Sequence, residues 1–186
     1  RYGRLSPTRA EHVREEFPAG VAVILEGGDC EVGLESTIVS LLGPVPRVLR
    51  PGVIGRAALE AALGVPVLGS AADAEAHAAG SAGDAHEALP RVPGSTAQHY
   101  APRTPLRLVP AGTLAAAVAA ARAAGLRVAT LACPPGTDAR AYGRALYATL
   151  RALDAERADR LLVEQVPQAP EWDAVRDRLT RAAASA

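Results

Sequence analysis

The stretch "LRLVPAGTLAAAVAAARAAGLRVATLA", Leu106–Ala132, decides the fold class. Leu106–Val109 reads as a strand, Thr113–Ala124 as an Ala-rich helix stopped by Gly125, and Arg127–Ala132 as a second strand. The same rhythm continues downstream, with a helix over Asp138–Leu153, a strand over Arg160–Glu164 and a last helix over Glu171–Ala184. Three β-then-α units in series predict a small parallel sheet covered by helices, joined by right-handed crossovers. This α/β pattern is like half of a doubly wound domain. No GxGxxG follows the first strand, so the dinucleotide fingerprint is missing.

Upstream the pattern is mixed. Ser6-Pro7-Thr8 followed by Arg9–Phe17 reads as a capped helix, because proline fits a first turn and a hydroxyl can satisfy open N–H groups. Val21–Leu25 reads as a short buried strand. Glu35–Leu42 and Arg47–Arg50 follow as β segments around a Gly-Pro-Val-Pro turn, and Arg56–Leu63 is a helix ended by Gly64. Residues 1–65 therefore form an α+β block. From Pro66 to about Ser95, Ala, Gly, Ser, Asp and His dominate without a usable period. A linker and a domain boundary are expected there.

Hydrophobic residues make up 49% of the 186 positions, enough for a core. Lys, Asn and Met are absent, so all 20 basic residues are Arg. A chain without Met that opens at Arg1 is expected to be part of a longer product. Formal charge is +0, so no global field draws in nucleic acid or an acidic membrane. Cys30 and Cys133 share no metal-ligand spacing and are expected as reduced thiols of a cytoplasmic protein. No membrane span or signal peptide is expected.

A few residues carry possible chemistry. Ser6 suits either a helix cap or an anion site at a helix start. Ser36 and Thr37 point to opposite faces of a strand, as strand-edge residues or with one facing a pocket. Arg50 stands where a strand leaves its sheet, placed for a surface salt bridge or for a phosphate or carboxylate. His99-Tyr100, among prolines at the linker's end, suits a hydrophobic anchor or a gate.

Their order is more telling than any one of them. "GRLSPT" (Gly3–Thr8), "GLESTIV" (Gly33–Val39), "VLRPGVI" (Val48–Ile54) and "HYAPRTPL" (His99–Leu106) together resemble the YrdC-like threonylcarbamoyl-AMP synthase family, in its long two-domain form. "AVRDRLTRAA" at the C-terminal end agrees. The resemblance implies the C-terminal part of a YrdC-like α+β catalytic domain over residues 1–65, a flexible linker or lid over 66–105, and a small three-layer Rossmann-like α/β domain over 106–186. It implies synthesis of threonylcarbamoyl-adenylate and pyrophosphate from L-threonine, bicarbonate (or CO2) and ATP, with Mg2+ as the usual cation. Other proteins then transfer the product to tRNA. It also implies nucleotide contacts for Ser6, Arg50, His99 and Tyr100, threonine contacts for Ser36 with Thr37 beside it, and no protein nucleophile. Glu35 is expected to serve a nearby Arg or N–H group.

The family's N-terminal portion, with its Lys- and Arg-containing motif, has no counterpart in this sequence. These 186 residues alone are therefore expected not to make the adenylate at a useful rate. Ser40-Leu41-Leu42 also departs from relatives, which commonly carry an acidic residue there. Competing readings are a module for another carbamoyl transfer, an RNA-binding module, and a non-catalytic fragment that docks partners. The "HYAP" segment with its β-α units speaks against the first. Zero net charge and a single Phe speak against the second.

Overall fold

The computed structural model describes residues 2–69, 90–94, 96 and 98–184. Most of the expected linker lies outside the described residues. The N-terminal part contains α1 (Ala10–Glu16), β1 (Ile38–Ser40), β2 (Arg47–Arg50) and α2 (Arg56–Leu63). β1 and β2 form a two-stranded antiparallel sheet. The opposite edge of β2 meets Leu68, whose carbonyl accepts from the Val48 N–H at 2.9 Å.

The sequence reading needs three corrections here. Val21–Leu25 forms no strand, and Leu25 is 86% exposed. An apolar run becomes a strand only beside a backbone ladder and a core, and neither lies against this segment among the described residues. The first β segment shortens to Ile38–Ser40, because Leu41 and Leu42 swing into solvent as the turn begins. The N-cap position of α1 is Arg9, which makes no side-chain cap bond, so Ser6 is not the helix cap.

The C-terminal part alternates β3 (Leu106–Val109), α3 (Leu114–Ala123), β4 (Val128–Leu131), α4 (Ala139–Ala155) and β5 (Arg160–Glu164). A 3-10 turn at Pro170–Trp172 and α5 (Asp173–Ala183) complete it. The three strands form a parallel sheet in the order β3-β5-β4. The central strand reads "RLLVE", with Leu161, Leu162 and Val163 all buried, as a strand covered on both faces requires. Glu164, at its end, accepts from the Gly112 N–H at 2.5 Å and the Cys133 N–H at 3.0 Å, tying down the loops after β3 and β4. Cys30 and Cys133 are not disulfide-bonded.

Helix faces follow the same logic. In α4 the Asp138 carboxylate accepts the Ala141 N–H at 2.7 Å, and Gly143, Leu146, Tyr147 and Leu150 form the buried stripe. The buried stripe of α5 is Ala174, Val175, Arg178, Leu179 and Ala182. One core runs through this part, and it takes in Leu5 and Tyr100 from outside it. Among the described residues, no helix is long and apolar enough to cross a membrane.

Candidate functional site

Strand pairing builds the first element. β1 and β2 are in register with Ile38 opposite Arg50, so Arg50 lies beside the residues that precede β1. Its Nε donates to the Ser36 carbonyl at 3.0 Å and its Nη2 to Ser36 Oγ at 3.1 Å. Its Nη1 donates to the Pro93 carbonyl at 3.0 Å. A guanidinium carries about five N–H donors, so about two remain for an anion. Ser36 is exposed, whereas Thr37 turns away and donates to the Ile54 carbonyl at 2.8 Å. Gly52 fits beneath them because it lacks a side chain: a Cβ there would lie 2.3 Å from the Thr37 nitrogen.

The second element is a charged junction around Glu35. Its carboxylate accepts from Ser6 Oγ at 2.5 Å, from Tyr147 Oη at 2.9 Å and from Arg178 Nε at 2.8 Å. Burial pushes its pKa up, but the Ser6 and Arg178 hydrogen bonds and the Arg178 charge outweigh burial and hold it below the usual carboxylate value. Arg178 is 1% exposed. Its Nη2 donates to the Pro51 carbonyl at 3.0 Å and its Nη1 to Asp177 Oδ2 at 2.6 Å. The guanidinium carbon lies 4.9 Å from the centroid of the Tyr100 ring, a cation–π contact.

The third element is the segment bearing His99 and Tyr100. Tyr100 is 2% exposed with φ 59°, its ring centroid 5.8 Å from that of Tyr147. Gly94, at φ +83°, lies so close that a Cβ there would sit 1.9 Å from Tyr100 Oη. The Ala101 N–H donates to the Gly3 carbonyl at 2.9 Å, which fastens the segment to the chain's start. His99 packs edge-on against Tyr2 and Tyr100. Its Nδ1 is buried without a hydrogen-bond partner among the described residues. Burial, reinforced by Arg181, Arg178 and Arg50 and opposed by Glu35, lowers its pKa.

Five of the six residues singled out from sequence thus gather at one junction, while Thr37, just before β1, turns its hydroxyl to the Ile54 carbonyl instead. Tyr100 has the geometry of an anchor, since its ring is buried in the core. None of the six lines either of two larger cavities nearby. One, of about 790 Å3, lies between Arg4, Arg103, Arg151 and Asp154; the other, of about 770 Å3, between Leu34, Gly52, Arg56 and Trp172. Sequence reasoning missed Arg178 and Tyr147. The available signal was an arginine on the apolar stripe of α5, between Val175 and Leu179. Among the described residues no group of three or more His, Cys, Asp or Glu side chains is placed to hold a metal ion.

Comparison with known proteins gives this arrangement a context. Residues 54–184 match the family model described as "Threonylcarbamoyl-AMP synthase, C-terminal domain". Residues 1–52 match the one described as "Telomere recombination". The chain is 29% identical to a threonylcarbamoyl-AMP synthase of Bacillus subtilis, over 97% of this chain and 54% of the relative. It is 28% identical to one of Schizosaccharomyces pombe, over 97% of this chain and 49% of that protein. The crystal structure of Pyrococcus abyssi Sua5 complexed with L-threonine superposes with a TM-score of 0.78 at 25% identity, covering 98% of this chain and 55% of that one. A variant of the same protein, with an adjacent His and Tyr replaced by alanine, superposes with a TM-score of 0.76 at 25% identity, covering 97% of this chain and 54% of that one. The chain spans about half the length of these relatives. It belongs to the threonylcarbamoyl-AMP synthase family, and its mixed α/β fold with a parallel sheet is that of Sua5.

Proposed function

We propose that this chain forms one wall and the lid of an L-threonylcarbamoyl-adenylate synthase. The observation that carries the reading is the convergence of four separated motifs on one junction, Ser6, Ser36 and Arg50 through directed hydrogen bonds and Tyr100 through a cation–π contact. In the proposed reaction, threonine's amino group and bicarbonate give a carbamate, a C–N bond forming as water leaves. A carbamate oxygen then attacks the α-phosphorus of ATP, and pyrophosphate leaves. Both partners are anionic, so the protein's task is to place donors where charge builds up. The spare N–H groups of Arg50 would meet phosphate oxygens, with Ser6 and His99 toward the nucleotide. Ser36 Oγ, oriented by Arg50, would hold threonine with Thr37 behind it. Mg2+ would be held largely by the phosphates, since no group of three or more His, Cys, Asp or Glu side chains is placed for it among the described residues.

In this reading residues 1–65 complete the catalytic domain, 66–105 act as linker and lid, and the Rossmann-like 106–186 support both. A lid suits a labile acyl-adenylate, which must be kept from water. The enzyme would be cytoplasmic and would hand its product to the proteins that modify tRNA, with at most weak tRNA contact of its own. The test uses the natural gene product with ATP, threonine and bicarbonate. Pyrophosphate release requiring all three is expected, with a loss of about 10²-fold or more in Arg50→Ala. Residues 1–186 alone are expected to release almost none. Release independent of threonine, or salt-steep tRNA binding without ATP dependence, overturns the assignment.

A further inference from the structure

The last helix reaches the centre of the proposed site through Arg178. Arg178 lies on the apolar stripe of α5, where Val175, Leu179 and Ala182 pack the core, yet it is as buried as they are. From there it touches three separate segments: Glu35 before β1, the Pro51 carbonyl after β2, and the face of Tyr100. Each contact lies on or beside a residue assigned above to substrate. Glu35 precedes Ser36 and accepts the Ser6 hydroxyl; Pro51 follows Arg50; Tyr100 adjoins His99. Asp177 extends the arrangement, since it also accepts Arg181 Nε at 2.9 Å while Arg181 Nη1 donates to the Thr96 carbonyl at 2.6 Å.

We infer that Arg178 is a positioning residue, through which the C-terminal domain fixes the geometry of the proposed synthase site. The inference rests on that functional reading and gives the C-terminal domain a task within it. The guanidinium fork is what the position demands. Its three engaged nitrogens point to a carboxylate in another segment, a carbonyl in a second and a carboxylate on its own helix, while its flat face covers an aromatic ring. An ammonium keeps the charge but cannot hold three divergent acceptors and stack at once.

The test is Arg178→Lys in the natural gene product, followed by amide exchange and by steady-state kinetics. Exchange at residues 35–37 and 98–101 is expected to quicken about tenfold, with the strands β3 and β5 unchanged. The kcat/KM for pyrophosphate release is expected to fall about tenfold, mainly through kcat, because misplacement costs more at the transition state than in binding. Should Arg178→Lys fail to fold, Tyr147→Phe removes one Glu35 bond with little change of shape, and a smaller shift confined to the same segments is expected. Exchange that is unchanged, or faster everywhere alike, overturns the inference. A wild-type protein that releases no pyrophosphate would refute the synthase reading, and the exchange pattern alone would then decide whether Arg178 positions these segments.

Discussion

Glu35, His12 and His99 are three of the titratable residues through which acid acts on this molecule. Glu35 is held below its ordinary value of 4.5 by the Ser6 and Arg178 hydrogen bonds and the Arg178 charge, against burial. Its ionised form is therefore the native one. The stability it contributes is complete above that ordinary value and is lost as pH falls through it toward the folded value. His12 and His99 are lowered from 6.5, each chiefly by burial, so each is favoured neutral. Their contribution is present above that value and disappears as pH falls below it through the folded values. Urea midpoints should be level from about pH 7 to about pH 8, decline below about 6.5 and fall again below about 4.5. His99→Gln should shrink the upper step to the part that His12 contributes, and a midpoint that rises on acidification would contradict the assignment. The residue scale is also where the sequence was least explicit. Ser36 and Arg50 could be singled out from their places at strand ends. Arg178 could not, because a lone arginine among apolar neighbours usually lets its long stem cover a surface while its head reaches water. Only the approach of Glu35 shows where the head goes.

Elements were legible to the extent that their partners lie within the chain. The strands Leu106–Val109 and Arg160–Glu164 and the helix Arg56–Leu63 appear with the bounds read from sequence, since periodicity and stop signals act locally. Val21–Leu25 has the same apolar signature and forms no strand. Periodicity reports that side chains are apolar, not that a surface exists to receive them. The two cases separate on substitution. Leu25→Ser should change unfolding free energy by less than about 0.5 kcal/mol, as an exposed position does. Leu179→Ala, on the buried stripe of α5, should cost about 2–5 kcal/mol. Denaturant titration of both variants is the check, and equal costs would refute the division.

Taken whole, the molecule distributes its apolar surface unevenly. Among the described residues, the large hydrophobic residues found exposed all lie between Tyr2 and Leu68, while the parallel-sheet part keeps its own covered. Exposed apolar surface gathered in one part of a chain favours association. The isolated chain should therefore bind a hydrophobic dye and self-associate as concentration rises. Light scattering should show this, and Leu25→Asp with Leu42→Asp should reduce it without altering the fold. A strictly monomeric chain that binds no dye would count against it. Sequence composition hid this asymmetry, because an average hydrophobicity does not say which residues find cover. The strand order β3-β5-β4 carries a consequence for synthesis. The central strand is the last made, so neither flanking strand has its neighbour until Glu164 has left the ribosome. Glu35 waits longer still, for an arginine 143 residues further along. From the time it is made, the segment around Glu35 thus waits for a contact supplied 143 residues later, and a chain interrupted just before Arg178 would hold a sheet with no latch.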